Sequence, residues 1–280
     1  MAGFLHLLAC SCLDDFVRGF LRDQFWGRFK NPFAKQHTFV SYCDMAKADH
    51  MIPGSPRQVR DHCIRCGTCC LKGGPTLHRE DAGLFSKGIL KIADVYTLRR
   101  GEIVRDIDDT LKTLEGEIIK IKAQDENCWT CMFYHEQQKA CKIYKDRPTE
   151  CRALKCWDLR DLKEVMASPH LQRKDLISPR DGLLRIMDVH EQRCAYNILK
   201  SCVKKLKGPN SDKEVEMILD LLQYDQCMRP LLTEKLKIPP RAMDFYFGRP
   251  LRTTIRMFGL SVRQQDDHFV LMPTEPCASN

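Results

Sequence analysis

Four cysteines fall within eight consecutive residues of this chain, and this spacing constrains what it can fold into more than any other feature. They are Cys63, Cys66, Cys69 and Cys70, in the order Cys-Ile-Arg-Cys-Gly-Thr-Cys-Cys. A C-x2-C pair lets two sulfur atoms converge on one cation across a tight turn, and the glycine after the second cysteine tolerates the positive φ of such a turn. Packing alone does not require four thiols in so short a segment. The segment therefore predicts a metal site.

A second group of cysteines follows in the sequence. Its members are Cys128, Cys131, Cys141, Cys151 and Cys156. Cys151 comes three residues after Pro148, in the predicted first turn of a helix, where the positive end of the helix favours a thiolate. Cys156 is five positions further along, about 140° around that helix. Cys156 and Cys128 are each either an additional ligand or a buried thiol.

The compartment decides how 16 cysteines in 280 residues are interpreted. No apolar stretch approaches 18 residues, so no membrane span is expected. The apolar run near the N-terminus is short and no Lys or Arg precedes it, so no export signal is expected either. The predicted location is the reducing cytoplasm, where clustered cysteines indicate metal or redox chemistry rather than disulfides. Seven cysteines outside any ligand spacing are predicted to be ordinary thiols: Cys10, Cys12, Cys43, Cys194, Cys202, Cys227 and Cys277.

The net charge does not indicate a nucleic-acid partner. The formal charge is +8, from 45 basic and 37 acidic residues. These charges are dispersed, without a basic run of five or more residues and without zinc-finger spacing that ends in paired histidines. Each metal-bound thiolate would also add a negative charge that the formal count ignores.

The chain divides into three predicted parts, and its fold class is predicted as mainly α with a small β content. Residues 1–56 are expected to form an amphipathic helix, at 4–29, and a linker; residues 57–160 an irregular, metal-organised cysteine-cluster core; and residues 161–280 a helical region. Helices are predicted at 148–166, Gly182–Lys207 and Asp212–Asp225, and helical spacing also marks Asp81–Arg100. Strands are predicted at Glu117–Ala123 and Thr253–Val262.

Taken together, the cysteine motifs resemble the YkgJ family of cysteine-cluster proteins. The matching segments are CxxCGxCC at 63–70, Cys131-Met-Phe-Tyr, and the run from Cys141 through Lys-Ile-Tyr-Lys-Asp-Arg-Pro-Thr-Glu to Cys151-Arg, within about residues 60–157. Members are described as zinc- or iron-chelating domains and sometimes as Fe–S oxidoreductases. The resemblance implies seven family cysteines: Cys63, Cys66, Cys69, Cys70, Cys131, Cys141 and Cys151. One departure is Lys139-Ala140, where family members often have a glycine before the cysteine.

Spacing leaves the metal open. Cys63, Cys66 and Cys69 reproduce the first three ligands of the bacterial ferredoxin run, so an iron–sulfur cluster of the [4Fe–4S] type is the first expectation. Zinc is close behind, because CxxCG turns bind it equally well and it prefers four thiolates. A thioredoxin-like role for Cys128 and Cys131 is disfavoured, since no βαβ order surrounds them.

Neighbouring residues could assist such a centre. Arg147 and Arg152 can offset thiolate charge, or can form a solvated pair at a helix end. His62 and His135 are alternative ligands, although surface or hydrogen-bonded positions are the simpler expectation.

The expected function is metal-cluster binding with an electron-transfer or oxidoreductase role, involving a redox partner protein or an unidentified substrate. A second hypothesis is a non-catalytic zinc-stabilised binding or metal-handling module, because no general acid–base pair or nucleophile accompanies the cysteines. A third comes only from a related cysteine cluster in flagellin lysine methylase, which implies methyl transfer.

Overall fold

The computed structural model describes residues 61–105, 110–125, 128–206, 211–265 and 268–274. Val59–Leu260 form one compact unit, and the C-terminal hairpin from Ser261 onward belongs to another and is described by itself. The helix expected at 4–29 and the linker expected at 30–56 lie outside the described residues. The domain boundaries at 56 and 160 stay predictions.

An antiparallel pair of strands borders the cysteine-rich region. Strand β1, Val95–Leu98, pairs with β4, Ile118–Ile121, and Leu98 lies opposite Ile118. Alternate residues of β4, Ile119 and Ile121, are buried, as expected of a strand with one face on the core. The strand predicted within Glu117–Ala123 is therefore confirmed. The segment that contains Leu77 also runs along β4, because the Leu77 N–H donates to the Ile119 carbonyl at 2.8 Å.

Three further hairpins complete the strands of the described residues. Strand β2, Ile103–Arg105, pairs with β3, Leu111–Thr113; β5, Tyr134–His135, pairs with β6, Ala140–Cys141; and β7, Leu260–Gln265, pairs with β8, His268–Pro273. All of these pairs are short, so helices dominate the described fold. The prediction of a mainly α chain with some β structure is confirmed.

Helices are named here in chain order. They are α1, Thr68–Leu71; α2, Ala82–Ser86; α3, Thr149–Ala153; α4, Arg160–Ala167; α5, Arg173–Leu176; α6, Leu183–Arg193; α7, Tyr196–Lys205; α8, Asp212–Leu236; α9, Met243–Phe247; and α10, Leu251–Thr254. Short 3-10 turns lie at Arg79–Asp81, Ile92–Asp94, Tyr144–Asp146, Pro240–Ala242 and Ile255–Phe258. Among the described residues, no helix is both long enough and apolar enough to cross a membrane.

Several predicted elements have different boundaries in the structure. The segment Asp81–Arg100, whose apolar residues have helical spacing, contains only α2 and two 3-10 turns. Its residues Val95–Leu98 form a strand paired with β4 instead, because tertiary pairing outweighs periodicity. The helix predicted at 148–166 is two helices, α3 and α4. The strand predicted at Thr253–Val262 begins only at Leu260, after a helical segment.

The helix predicted at Gly182–Lys207 is broken between α6 and α7. Its interruption lies at Cys194, whose carbonyl accepts a hydrogen bond from the buried guanidinium of Arg99 at 3.1 Å. A carbonyl held by a distant arginine does not continue the i to i+4 ladder. Helix α8 instead runs past the predicted end at Asp225 to Leu236, with Pro230 inside it.

The core of this unit lies between helices α6 to α10 and strand β1. Phe245 and Phe247 of α9 are fully buried, and the Thr97 hydroxyl of β1 donates to the Phe245 carbonyl at 2.7 Å. Buried charged groups occupy the same region, including Arg99 and Asp225. Such groups are tolerated because they are paired and hydrogen-bonded.

Candidate metal centre

A glycine fixes the first cysteine motif. Gly67 has φ of +81° and directly precedes α1, which contains Cys69 and Cys70. A Cβ placed on Gly67 would lie 2.7 Å from the Cε2 atom of the Tyr134 ring, so both the left-handed backbone and the close contact require glycine. Gly67 therefore lies against the β5–β6 hairpin, in which Tyr134 lies opposite Cys141.

The backbone joins this motif to the second one. The Cys131 N–H donates to the Cys70 carbonyl at 2.7 Å. Cys131 also forms an antiparallel bridge with Ala123, just beyond β4, and its side chain is buried. Cysteines from two distant stretches of sequence therefore lie side by side.

The segment that contains Cys151 is held in place by a buried carboxylate, that of Asp81. Cys151 lies in α3, and the first residue of that helix, Thr149, donates both its N–H and its hydroxyl to Asp81 Oδ1 at 2.8 Å. The next residue, Glu150, accepts from the Thr76 N–H at 2.7 Å. Asp81 is itself 1% exposed. These contacts fix the start of α3 against the segment that runs along β4.

Five thiols gathered in this way interact electrostatically. They are Cys69, Cys70, Cys131, Cys141 and Cys151, here called the inner thiols. The hydrogen bond from the Cys70 thiol lowers the pKa of Cys69 to about 6, with a further contribution from the positive charge of Arg147. The same bond raises the pKa of Cys70. One of this adjacent pair is thus a ready thiolate.

Burial acts in the opposite direction on the other three inner thiols. It is the largest cause that raises the pKa of Cys131, Cys141 and Cys151, and repulsion among neighbouring cysteines adds to it. A cation bound among these thiols would instead lower their pKa values, since metal binding stabilises the thiolate form. Across the residues that the structure describes, no three or more Cys, His, Asp or Glu side chains are grouped so that they could hold a metal ion as they stand.

Two arginines contact one tyrosine beside the inner thiols. The guanidinium carbon of Arg147 lies 3.7 Å from the centroid of the Tyr144 ring, and that of Arg65 lies 4.2 Å from it. Arg65 belongs to the first motif and Tyr144 to the second. The Nε of Arg147 is buried and has no hydrogen-bond partner among the described residues. An unpaired cationic donor suits a centre of anionic sulfur, so the residues present fit a thiolate-bound metal.

Arg152 differs from Arg147 in having its donors engaged. Its guanidinium donates to the Arg147 carbonyl and, at 2.9 Å, to the Thr149 hydroxyl. Of the two arginines considered for charge compensation, Arg152 holds the backbone at the start of α3.

Four predicted ligands are not among the inner thiols. Cys63, Cys66 and Cys156 are exposed and Cys128 is half-buried; the Cys66 sulfur lies 3.3 Å from the Thr68 hydroxyl. The full ligand set inferred from sequence stays a prediction. Cys194 and Cys202 are buried in the helical core, as expected of ordinary thiols.

The histidines near the motifs have hydrogen-bond partners. His62 Nδ1 lies 2.6 Å from an Asp61 oxygen, and His135 Nδ1 accepts from the Gln138 N–H at 3.3 Å.

A buried polar group in contact with helix α3 was not predicted. His78 is fully buried, with Nδ1 2.9 Å from the Ser168 hydroxyl and Nε2 3.4 Å from a Glu150 oxygen. No ligand spacing reveals this group. The only sequence indication is Glu150, an acidic residue in the first turn of the predicted helix and adjacent to Cys151.

Comparisons with known proteins match part of this chain. An uncharacterized protein of Methanocaldococcus jannaschii is 35% identical over 91 residues, which cover 32% of this chain and 42% of that protein. The chain thus spans less than half of the length of this relative. No solved structure matches the chain.

A family model supports the resemblance inferred from the cysteine motifs. The matching residues, 62–172, include all nine predicted ligands and also the buried group around His78. Residues 62–172 are therefore similar to the CxxCxxCC family, described as "Putative zinc- or iron-chelating domain".

Proposed function

We propose that this chain binds iron or zinc through its inner thiols and that its resident group is an iron–sulfur cluster. The observation that supports this is the convergence of five cysteines from three separate segments beside an unpaired arginine donor. Thiolates are the ligands that iron–sulfur clusters and zinc share. The family description is consistent with either metal.

The cysteines of this chain would have different roles at the centre. The lowered pKa of Cys69 favours its thiolate form, and Cys131, Cys141 and Cys151 would supply sulfur atoms from buried or half-buried positions that restrict access of water. The exposed pair Cys63 and Cys66 lies on a segment that contacts Tyr144 through Arg65 and would complete the ligand set. An iron–sulfur cluster bound here would supply a one-electron redox couple, used in exchange with a redox partner protein.

Zinc is the alternative occupant, in a non-catalytic module. Its support is the same set of thiols, since four thiolates make a closed structural zinc site. In that case metal would stabilise the fold and no redox couple would exist.

Anaerobic purification followed by analysis of iron, zinc and acid-labile sulfide distinguishes these proposals. The iron–sulfur proposal expects a brown protein with iron and sulfide in comparable amounts and an EPR signal in one oxidation state. A colourless protein that retains stoichiometric zinc after anaerobic reconstitution with iron and sulfide would overturn it in favour of zinc. A chain that retains neither metal would overturn both.

A further inference from the structure

We infer that Arg147 is a positioning residue that donates its Nε–H to a metal-bound thiolate of Cys69 or Cys141, and that Tyr144 holds it in place. This inference rests on the proposed metal-binding function. It separates Arg147 from Arg152, which sequence reasoning treats alike.

The first argument is the state of the donor itself. The Arg147 Nε is buried without a hydrogen-bond partner among the described residues. A buried, unpaired cationic donor is costly, and folded proteins rarely leave one without a reason. A neutral thiol is a weak acceptor, whereas a thiolate is a strong one. Metal binding converts the first into the second, so it would supply the acceptor.

The second argument is position. The guanidinium of Arg147 lies over the ring of Tyr144, which comes three residues after Cys141. Arg65 of the first motif contacts the same ring. The charge of Arg147 accordingly acts on both Cys69 and Cys141. These two residues come from different motifs, and Arg147 follows Cys141 by six positions. Arg147 is therefore near the sulfur atoms that a metal would join.

The third argument is how the guanidinium is held. It lies over the Tyr144 ring at 3.7 Å. This contact positions the side chain without using Nε. Stacking requires the flat guanidinium, which lysine lacks. An arginine here is consequently not interchangeable with a lysine.

The test uses the full chain loaded with metal and compares Arg147→Gln, Arg147→Lys and the control Arg180→Gln, which alters an exposed arginine outside the centre. Metal affinity is measured by competition with a chromogenic chelator, and circular dichroism of each apo-protein reports folding. Loss of a hydrogen-bonded partner of a metal ligand costs about 10- to 100-fold in affinity. We expect that loss in Arg147→Gln, a smaller loss in Arg147→Lys and none in Arg180→Gln.

Wild-type affinity in Arg147→Lys would overturn the inference, because lysine keeps the charge but lacks the Nε donor and the stacking. The lysine variant also keeps the test decisive if Arg147→Gln does not fold. Equal affinities of Arg147→Gln and Arg180→Gln would overturn it as well, while metal binding itself stands. If the wild-type chain binds neither iron nor zinc, the proposed function fails and this inference fails with it.

Discussion

The guanidinium carbon of Arg65 lies 4.2 Å from the centroid of the Tyr144 ring. Arg65 stands between Cys63 and Cys66, and Tyr144 is three residues after Cys141. This contact joins the exposed C-x2-C pair to the second cysteine motif through an aromatic ring. The pair is therefore held beside the segment that follows Cys141.

Replacing Tyr144 by leucine should loosen that connection. The change removes the ring shared by Arg65 and Arg147, and each cation–π contact of this kind stabilises by about 0.5–1 kcal/mol. We expect Tyr144→Leu to lower the free energy of unfolding by about 1–2 kcal/mol in urea denaturation. Tyr144→Phe keeps the ring and should stay within about 0.5 kcal/mol of wild type. Equal losses in the two variants would show that the ring contacts are not responsible.

Gly67→Ala should destabilise the first motif more strongly. Alanine at φ of +81° is strained, and its Cβ would collide with the Tyr134 ring. Strain and overpacking together predict a loss of about 2–4 kcal/mol in the free energy of unfolding. Gly116→Ala is the matched control, since a Cβ there meets no atom within 4 Å. Similar stabilities of the two variants, measured by thermal and urea denaturation, would contradict the assigned role of Gly67.

Asp81→Ala should free the start of α3 and with it Cys151. The Asp81 carboxylate accepts three hydrogen bonds, two from Thr149 at 2.8 Å and one from the His78 N–H at 3.0 Å. Loss of such a buried acceptor costs about 3 kcal/mol, and metal affinity should fall in the same variant.

Asp94 offers a comparison for this prediction. It caps a 3-10 turn in the same way, through the Lys91 N–H at 2.8 Å, but in an exposed position. Asp94→Ala should therefore cost about 1 kcal/mol or less. If calorimetry gives the two variants the same melting temperature, the anchoring role of Asp81 is wrong.

Acidification should lower the free energy of unfolding because of a buried pair, His190 and Asp225. The Nε2 atom of His190 lies 2.9 Å from a carboxylate oxygen of Asp225. Burial lowers the pKa of His190 below its ordinary 6.5, so below that pH the unfolded chain binds a proton that the folded chain does not. Burial tends to raise the pKa of Asp225, but the His190 hydrogen bond and the charge of Arg229 lower it to about 2. The contribution of Asp225 is thus complete above its ordinary 3.8 and is lost between 3.8 and about 2.

Urea titrations at several pH values check the histidine part of this prediction. In His190→Gln the loss that begins near pH 6.5 should be absent. The stability difference between wild type and variant should therefore shrink by up to about 1.4 kcal/mol per pH unit as the pH falls below 6.5. Parallel curves for the two proteins between pH 7.5 and 5 would contradict it.

Local patterns predicted the strand within Glu117–Ala123 and the helical start at Asp212, because these elements depend on residues that are close together in the sequence. Ser211 does precede that helix, although its side chain forms no capping hydrogen bond. The break at Cys194 was not predictable, since it depends on Arg99, which lies 95 positions earlier. The same limit applies to the site. Spacing identified the cysteines, but the anchoring of the start of α3 by Asp81 and the contact of Arg65 with the Tyr144 ring are long-range and have no sequence signature.

The central claim, that the inner thiols bind metal, is tested most directly by the metal content of anaerobically purified variants. We predict that wild type retains bound iron or zinc and that Cys131→Ser and Cys141→Ser each lose most of it. Cys227→Ser, which changes a half-buried thiol of helix α8, should keep the wild-type content. Metal content that is unchanged in Cys131→Ser and Cys141→Ser, or lost equally in Cys227→Ser, would contradict the account.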